Sequence, residues 1–225
     1  RDEARRREGF APVYGSLFGG RGTIEDGMGD IGLKLNGRTP TSHDAIREML
    51  KTFRNSPREI DLVTLGPLTN IALALSIEPE FAKHVRRCVI MGGTGVLPGN
   101  VTVASEFNVW ADPEAARIVF DSDLPLEMVG WDVSVADAVI SDELANQLSK
   151  LSDLGNFAMS IQRQVREFCR TETKLDGFDL PDPIAMAVAL DSSIVTSEVQ
   201  KHVRVNLGHG DTRGQTLVDH LEIIN

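Results

Sequence analysis

The segment from Met91 to Asp112 holds the densest group of side chains that could bind a small ligand. Two glycines follow Met91, and four amide or carboxylate side chains come after them, namely Asn100, Glu106, Asn108 and Asp112. Side-chain amides and a carboxylate can bind a vicinal diol at several points, because each hydroxyl of the diol both donates and accepts hydrogen bonds. The glycines would let the backbone approach such a ligand closely. The segment therefore predicts a site for a polyol.

The same residues also have structural interpretations. The two glycines can form a turn, Asn100 can occupy a left-handed loop position, and Asp112 can cap a helix that begins with Pro113. For Asp112 the cap is the preferred interpretation. The run GGTG after Met91 could also suggest phosphate binding, but the sequence has neither the Lys-Ser/Thr of a P-loop nor the spaced glycines of a dinucleotide fingerprint.

Two further positions could offer oxygen atoms to a cation. Asp182 lies between two prolines, where its carboxylate could cap a helix with Pro183 as the first residue, or could reach a hard cation such as Ca²⁺ or Mg²⁺. Leu65 ends an apolar run before a Gly-Pro pair, so its carbonyl could point at a ligand, although most such carbonyls meet water or a cap. Spacing alone does not distinguish these alternatives.

The histidines and cysteines show no arrangement typical of a reactive centre. The five histidines are scattered, none lies beside a Ser or Cys motif for a nucleophilic triad, and neither HExxH nor CxxC occurs. Cys88 and Cys169 have neither the density of a disulfide framework nor metal-ligand spacing. We therefore expect two buried thiols and a reducing, cytoplasmic compartment.

Short apolar strands alternate with helices along the chain and would position these residues. The predicted strands are residues 61–65, 85–91 and 126–129, with a later one at 199–207. The predicted helices begin after Ser42, at Leu68, after Asp112, after Ser141, at Phe157 and at Pro183. This alternation predicts an α/β fold with an open, mostly parallel, Rossmann-like sheet flanked by helices. Ligands of such sheets bind where strands end, which points to the residues after Leu65, Met91 and Val129.

Composition narrows the classes of partner. A chain of 225 residues with 41% hydrophobic residues can bury a sizeable core, so we expect one domain over residues 1–225, with two domains as the less economical alternative. The net charge of -10 and the lack of a Lys/Arg-rich stripe argue against nucleic acid and favour a small neutral or cationic ligand. The sequence has no apolar run long enough for a membrane span, and its charged start lacks the apolar core of a signal peptide.

Four segments resemble the inosine-uridine preferring nucleoside hydrolases, namely GPLTNIALAL (66–75), VIMGG (89–93), GNVTVASEFNVWADPEAARIVF (99–120) and LPDPIAMAVALD (180–191). The resemblance extends from about Asp26 to Asp219, and the EFN block followed by DPEAA is highly specific. It implies hydrolysis of ribonucleosides to ribose and free base in the nucleoside hydrolase fold, with Ca²⁺ in the site. It also implies a homo-oligomer, either a dimer or a tetramer.

The resemblance further implies particular site residues. It places the ribose contacts on Met91, Asn100, Glu106, Phe107 and Asn108. It places metal contacts on the Asp182 carboxylate and on the backbone carbonyl of Leu65. The family's DxDxGxDD cluster, which carries the other metal carboxylates and the catalytic base, has no counterpart here, so the catalytic base is unassigned. We expect that the chain starts after this cluster and also lacks part of the C-terminus, or else that the protein is inactive; the first is favoured.

The leaving-group acid is the least defined part of this resemblance. Many members have His before the metal-binding Asp, where this chain has Pro181, and a second leaving-group His falls on Thr23. The resemblance therefore identifies no proton donor and no preferred base. Two alternatives to a calcium-dependent ribonucleoside hydrolase stay open: an inactive ribose-binding or nucleoside-binding protein of the same fold, and a hydrolase of another ribosyl or sugar substrate.

Overall fold

The computed structural model describes residues 28–29, 31–33, 37, 39, 42–173 and 177–223. The chain forms two compact units, a smaller one from residues 1–39 and 139–179 and a larger one from residues 40–138 and 180–225. One domain over residues 1–225 stays a prediction.

The larger unit begins with alternating helices and strands. In chain order these are α1 (Ala45–Asn55), β1 (Asp61–Thr64), α2 (Thr69–Ile77), α3 (Phe81–His84), β2 (Arg87–Met91), α4 (Phe107–Ala111), α5 (Pro113–Phe120), β3 (Leu126–Val129) and α6 (Trp131–Asp137). The smaller unit contains β4 (Val139–Ile140), α7 (Asp142–Leu151), α8 (Asp153–Ile161), α9 (Arg163–Phe168), a π-helix (Cys169–Thr173) and β5 (Phe178–Asp179). The larger unit then resumes with α10 (Pro181–Leu190), a 3₁₀ turn (Ser192–Ile194), β6 (Val203–Val205) and β7 (Thr216–Val218).

A parallel sheet with the strand order β1-β2-β3 organises the larger unit. Thr64 pairs with Ile90 and Met91 pairs with Val129, so the three strands end at the same edge. Helices follow each strand, as parallel connections require. This arrangement confirms the predicted open, mostly parallel α/β sheet. It also brings together the three strand ends at which the sequence predicts a ligand.

The central strand β2 is buried on both faces. Cys88 and Ile90 belong to one apolar cluster, together with residues of α1, α2, α3 and α5. Val89 and Met91 belong to a second cluster, together with residues of α10. Because successive strand residues point to opposite faces, the two clusters cover the two sides of the sheet. The end of β2 is therefore held firmly by the core.

The smaller unit is mainly helical. Its two short strands pair antiparallel, with Ile140 opposite Phe178. The Arg166 guanidinium lies 5.6 Å from the centre of the Phe178 ring and also pairs with the carboxylate of Asp142. Ser141 caps α7 through its hydroxyl, which accepts from the Leu144 N–H, as the sequence predicts.

Three predicted helix boundaries are wrong. The cap of α1 is Asp44 and not Ser42, because the Asp44 carboxylate accepts from the Arg47 N–H at 2.9 Å. The single helix predicted for residues 157–168 is divided at Gln162, whose φ of -87° and ψ of 1° end α8. The predicted cap at Asp182 is also wrong, because α10 starts at Pro181 and Asp182 lies inside its first turn.

The strand boundaries are closer to prediction. The strand predicted at 126–129 is observed with those bounds, while β1 and β2 are shorter than predicted by one and two residues. The strand predicted at 199–207 contains regular pairing only at Val203–Val205, where it lies antiparallel to β7. No helix in the described part of the chain has the length and apolar character that a membrane span needs.

Candidate functional site

Met91 ends β2 and is joined to Asn108 by hydrogen bonds. The Asn108 amide nitrogen donates to the Met91 carbonyl at 3.1 Å and lies 3.3 Å from the Met91 sulfur. Asn108 belongs to the short helix α4, so these contacts fix α4 directly against the end of the central strand. Asn108 is only 8% exposed. The two residues therefore form one rigid corner of the site.

Glu106 caps α4 and is the most buried carboxylate of this corner, with 2% of its surface exposed. Its side chain accepts from the N–H groups of Gly93 at 2.9 Å, Asn108 at 2.9 Å and Val109 at 3.3 Å. Burial raises the pKa of the Glu106 carboxyl, the three N–H donors oppose this rise, and the nearby negative charge of Asp182 adds to it. The orientation of the carboxylate is therefore determined by the backbone around it.

Asn100 is tied to the same corner across the loop. Its side-chain oxygen accepts from the Phe107 N–H at 2.9 Å. Among the described residues, only Arg58 and Glu222 have a positive φ without being glycine, so the alternative of a left-handed filler at Asn100 is wrong. Phe107 itself packs near Trp110, with 6.3 Å between ring centres. The five predicted ribose contacts thus lie in one hydrogen-bonded cluster.

Asp182 lies in the same unit, in the first turn of α10, which contacts both β1 and β2. It is half-buried, and burial raises the pKa of its carboxyl. Within the described residues its side chain has no hydrogen bond or ion pair, although its charge acts on Glu106. Leu65 follows β1 directly, and the β1–β2 register places it at the same edge of the sheet as Met91. Their roles as metal contacts stay predictions.

Asp112 has the structural role preferred from the sequence. Its carboxylate accepts from the Ala115 N–H at 3.2 Å, which caps α5, and from the Thr69 hydroxyl at 2.7 Å. Both oxygens are thus engaged by protein groups. This confirms the helix start at Asp112-Pro113. Asp112 therefore lies outside the hydrogen-bonded cluster of the five predicted ribose contacts.

The loop after β2 is anchored by two residues of other elements that the sequence alone does not identify. Asp132, in the first turn of α6, accepts from the N–H groups of Gly95, Val96 and Leu97. The hydroxyl of Thr216, on β7, accepts from the Thr94 N–H at 2.8 Å and donates to the Thr94 carbonyl at 2.6 Å. The only signal for Asp132 was its place just after β3, at the predicted ligand edge.

These contacts exclude a phosphate cradle in the GGTG run. The N–H groups of Gly93, Thr94 and Gly95 already donate to side-chain oxygens, so none is free for a phosphate. Gly93 is required there for a different reason. Its φ is +74°, and a Cβ at this position would lie 2.8 Å from the Thr216 methyl carbon.

The two cysteines are buried, as the sequence predicts. Neither cysteine forms a disulfide, and burial together with the charge of Glu127 raises the pKa of Cys88 to about 12. Within the described ranges, no group of three or more His, Cys, Asp or Glu side chains could hold a metal ion. Thr23, onto which a leaving-group His of the family falls, lies outside the described residues.

Comparison with known proteins agrees with this arrangement. The family profile described as inosine-uridine preferring nucleoside hydrolase matches residues 20–223. The pyrimidine-specific ribonucleoside hydrolase RihA of Salmonella typhi is 36% identical over 201 residues, which cover 87% of this chain and 63% of that protein. The chain thus spans less than two thirds of the length of this curated relative.

Solved structures show the same similarity in three dimensions. A plant nucleoside hydrolase superposes with a TM-score of 0.82 at 31% identity, covering 87% of this chain and 61% of that chain. A purine-preferring ribonucleoside hydrolase from Gardnerella vaginalis superposes with a TM-score of 0.78 at 30% identity, covering 87% and 62% respectively. The resemblance stated from the motifs is therefore confirmed, and the chain belongs to the inosine-uridine preferring nucleoside hydrolase family.

Proposed function

We propose that the protein to which this chain belongs hydrolyses the N-glycosidic bond of ribonucleosides, releasing ribose and a free base, with Ca²⁺ as its cofactor. The observation that carries the proposal is the buried Glu106 carboxylate, which three backbone N–H groups hold at the end of the central strand. Two side-chain amides of the same cluster stand beside it. Family membership supports the reaction class.

The cluster retains hydrogen-bonding capacity that suits a ribose diol. One Glu106 oxygen accepts a single N–H and the other accepts two, so the first can accept a further donor. The Asn108 side-chain oxygen and the Asn100 side-chain nitrogen have no partner within the described part of the chain. Together these groups offer both acceptors and a donor, as adjacent hydroxyls require.

Glu106 also suits the charge that develops during cleavage. Breaking an N-glycosidic bond passes through a state in which the sugar ring carries positive charge. A fixed carboxylate in a buried environment stabilises that charge more strongly than a solvated one, because it needs no reorganisation and little water screens it. The buried position of Glu106 is therefore consistent with a role in the transition state.

The residues present fit a calcium ion in part. Asp182 is a half-buried carboxylate without a hydrogen-bond partner among the described residues, and the charge of Glu106 lies near it. Two such carboxylates are stabilised by a cation between or beside them, and Ca²⁺ takes carboxylate and carbonyl oxygen ligands. Asp182 and the Leu65 carbonyl would hold the ion. When bound, it would orient ribose hydroxyls and lower the pKa of a bound water.

We propose ribonucleosides as the substrate class and assign no preferred base. The relatives differ, since RihA is named pyrimidine-specific and the Gardnerella vaginalis enzyme is named purine-preferring. Pro181 offers no proton to a departing base, so residue 181 is not a general acid here. We further propose a homo-oligomer, as a dimer or a tetramer, in the cytoplasm. The two buried thiols, which form no disulfide, support a reducing compartment.

The test measures hydrolysis of inosine, uridine and cytidine by the full-length protein, with calcium and with a chelator. We expect ribose release that the chelator abolishes and that Asp182→Ala reduces by about 100-fold or more, as for loss of a group acting on the transition state. Asp137→Ala is the matched control, because Asp137 is an exposed carboxylate at the end of α6. Hydrolysis that is unaffected by both the chelator and Asp182→Ala would contradict the metal assignment.

A further inference from the structure

Five successive N–H groups in the loop after β2 donate to side-chain oxygens of other elements. Gly93 donates to Glu106, Thr94 donates to Thr216, and the next three residues donate to Asp132. Backbone N–H groups in loops usually meet water or other backbone groups. Here, side chains from the start of α4, from β7 and from α6 specify the path of the loop residue by residue.

Asp132 makes the largest share of these contacts. Its carboxylate accepts from the Gly95 N–H, from the Val96 N–H at 2.9 Å and from the Leu97 N–H at 2.7 Å. Hydrogen bonds to an ionised carboxylate are about twice as strong as neutral ones. The residue before it reinforces the contact, because the Trp131 N–H donates to the Gly93 carbonyl at 2.8 Å. The start of α6 therefore holds both ends of the segment Gly93–Leu97.

The same segment leads directly to the ribose cluster. Gly93 accepts from Trp131 through its carbonyl and donates to Glu106 through its N–H. Glu106 in turn accepts from the N–H of Asn108, whose side chain is bonded to Met91. A shift of the loop would thus displace the Glu106 carboxylate, which the proposed function places at the sugar. Every link in this series is a hydrogen bond between described atoms of the larger unit.

We propose that Asp132 is a positioning residue for the sugar site, which acts through the loop at Gly93–Leu97 on Glu106 and does not touch the substrate. The inference rests on the proposed function, because it concerns the affinity of that site for ribose. Thr216 is a second anchor of the same loop through its two hydrogen bonds to Thr94. The two anchors are independent, since they lie on different elements.

The principal test compares the full-length wild-type protein with Asp132→Asn, with Asp137→Asn as the control on the same helix. Hydrogen exchange reports the order of the loop, and calorimetric titration with ribose gives a Kd together with a binding stoichiometry. In Asp132→Asn we expect faster exchange at Gly95–Leu97 and a ribose Kd and nucleoside KM raised about tenfold, because small displacements of positioning groups have effects of this order or larger. The stoichiometry should stay at the wild-type value.

A merely structural role gives a different result. If Asp132 only stabilises the fold, the substitution lowers the fraction of folded protein. The binding stoichiometry and kcat then fall while Kd and KM stay at wild-type values. That result would overturn the inference. Faster loop exchange with a ribose Kd within twofold of wild type would overturn it as well. A wild-type protein that neither binds ribose nor hydrolyses nucleosides contradicts the proposed function itself, and the inference with it.

A second pair of variants covers the case in which Asp132→Asn does not fold. Thr216→Val removes both hydrogen bonds to Thr94, whereas Thr216→Ser keeps the hydroxyl that makes them. We expect Thr216→Val to raise the ribose Kd severalfold and Thr216→Ser to restore it toward the wild-type value. Equal affinities in the two variants would show that the anchoring of this loop does not control the sugar site.

Discussion

At the scale of single residues, three carboxylates near the strand ends differ in what surrounds them. Glu106 and Asp132 each accept from three backbone N–H groups, so their directions are fixed by the fold. Asp182 has no such partner among the described residues, and burial raises the pKa of its carboxyl. A partly buried carboxylate that receives no hydrogen bond from the protein is the one best suited to bind a cation.

The hydrogen bonds of Asp132 predict a pH-dependent contribution to stability. Burial raises the pKa of the Asp132 carboxyl. The N–H donors of Gly95, Val96 and Leu97 together lower it by more, so the pKa lies below its ordinary value. A carboxyl with a lowered pKa in the folded state stabilises the protein above its unfolded pKa of about 3.9, and this stabilisation is lost as the pH falls through the folded value.

Urea unfolding of the wild type and of Asp132→Asn tests this contribution. At pH 7 we expect the variant to be less stable by about 1.5–3 kcal/mol, the range for losing hydrogen bonds to a charged group. The difference between the two free energies of unfolding should narrow below about pH 4, where the unfolded carboxyl becomes protonated. A difference that is the same at pH 7 and at low pH would show that the charge of Asp132 does not stabilise the loop.

At the scale of elements, the sequence predicts the periodic parts well. β3 has its predicted bounds, and α5 begins with the Asp-Pro pair because cap and proline act locally. Two of the three misplaced boundaries lie where two local solutions compete: Ser42 and Asp44 can both cap α1, and α10 can start at either proline of the Pro-Asp-Pro run. Motif resemblance predicts the ribose contacts, and the structure joins these residues to one another by hydrogen bonds.

The two loop anchors, Asp132 and Thr216, could not be predicted from the sequence, for a physical reason. Asp132 and Thr216 bind loop residues that are far away in the chain, Asp132 from the start of α6 and Thr216 from β7. Only the packing of β3, α6 and β7 around the end of β2 brings them together. Local propensity carries no information about such contacts, so they appear only when the sheet order is known.

The loop also depends on one glycine, which gives a prediction at this scale. Gly93→Ala should destabilise the protein by more than about 1 kcal/mol, because alanine is strained at a positive φ. Its methyl group would in addition press against Thr216. Gly66→Ala is the matched control, since a Cβ there meets no atom within 4 Å. Thermal unfolding of both variants provides the measurement. Equal melting temperatures would contradict a requirement for glycine at residue 93.

At the scale of the whole molecule, the predicted ribose contacts, the loop anchors and Asp182 all belong to the larger unit. The chain covers 63% of the length of RihA from Salmonella typhi, so the activity described above is proposed for the protein that contains this chain. The net charge of -10 agrees with a neutral nucleoside and not with a polyphosphate ligand. The occupied N–H groups of the GGTG run point in the same direction.

The most direct test of the central claim asks whether the full-length protein recognises the diol of a ribonucleoside. In the presence of calcium, kcat/KM is measured for uridine and inosine and for their 2′-deoxy counterparts. A site built from Glu106, Asn100 and Asn108 should prefer the ribonucleosides by at least about tenfold, since buried polar groups left unpaired by a missing hydroxyl are costly. Release of ribose and base at this preference is the predicted result, and equal rates for ribo- and deoxyribonucleosides, or no ribose release from either ribonucleoside, would contradict it.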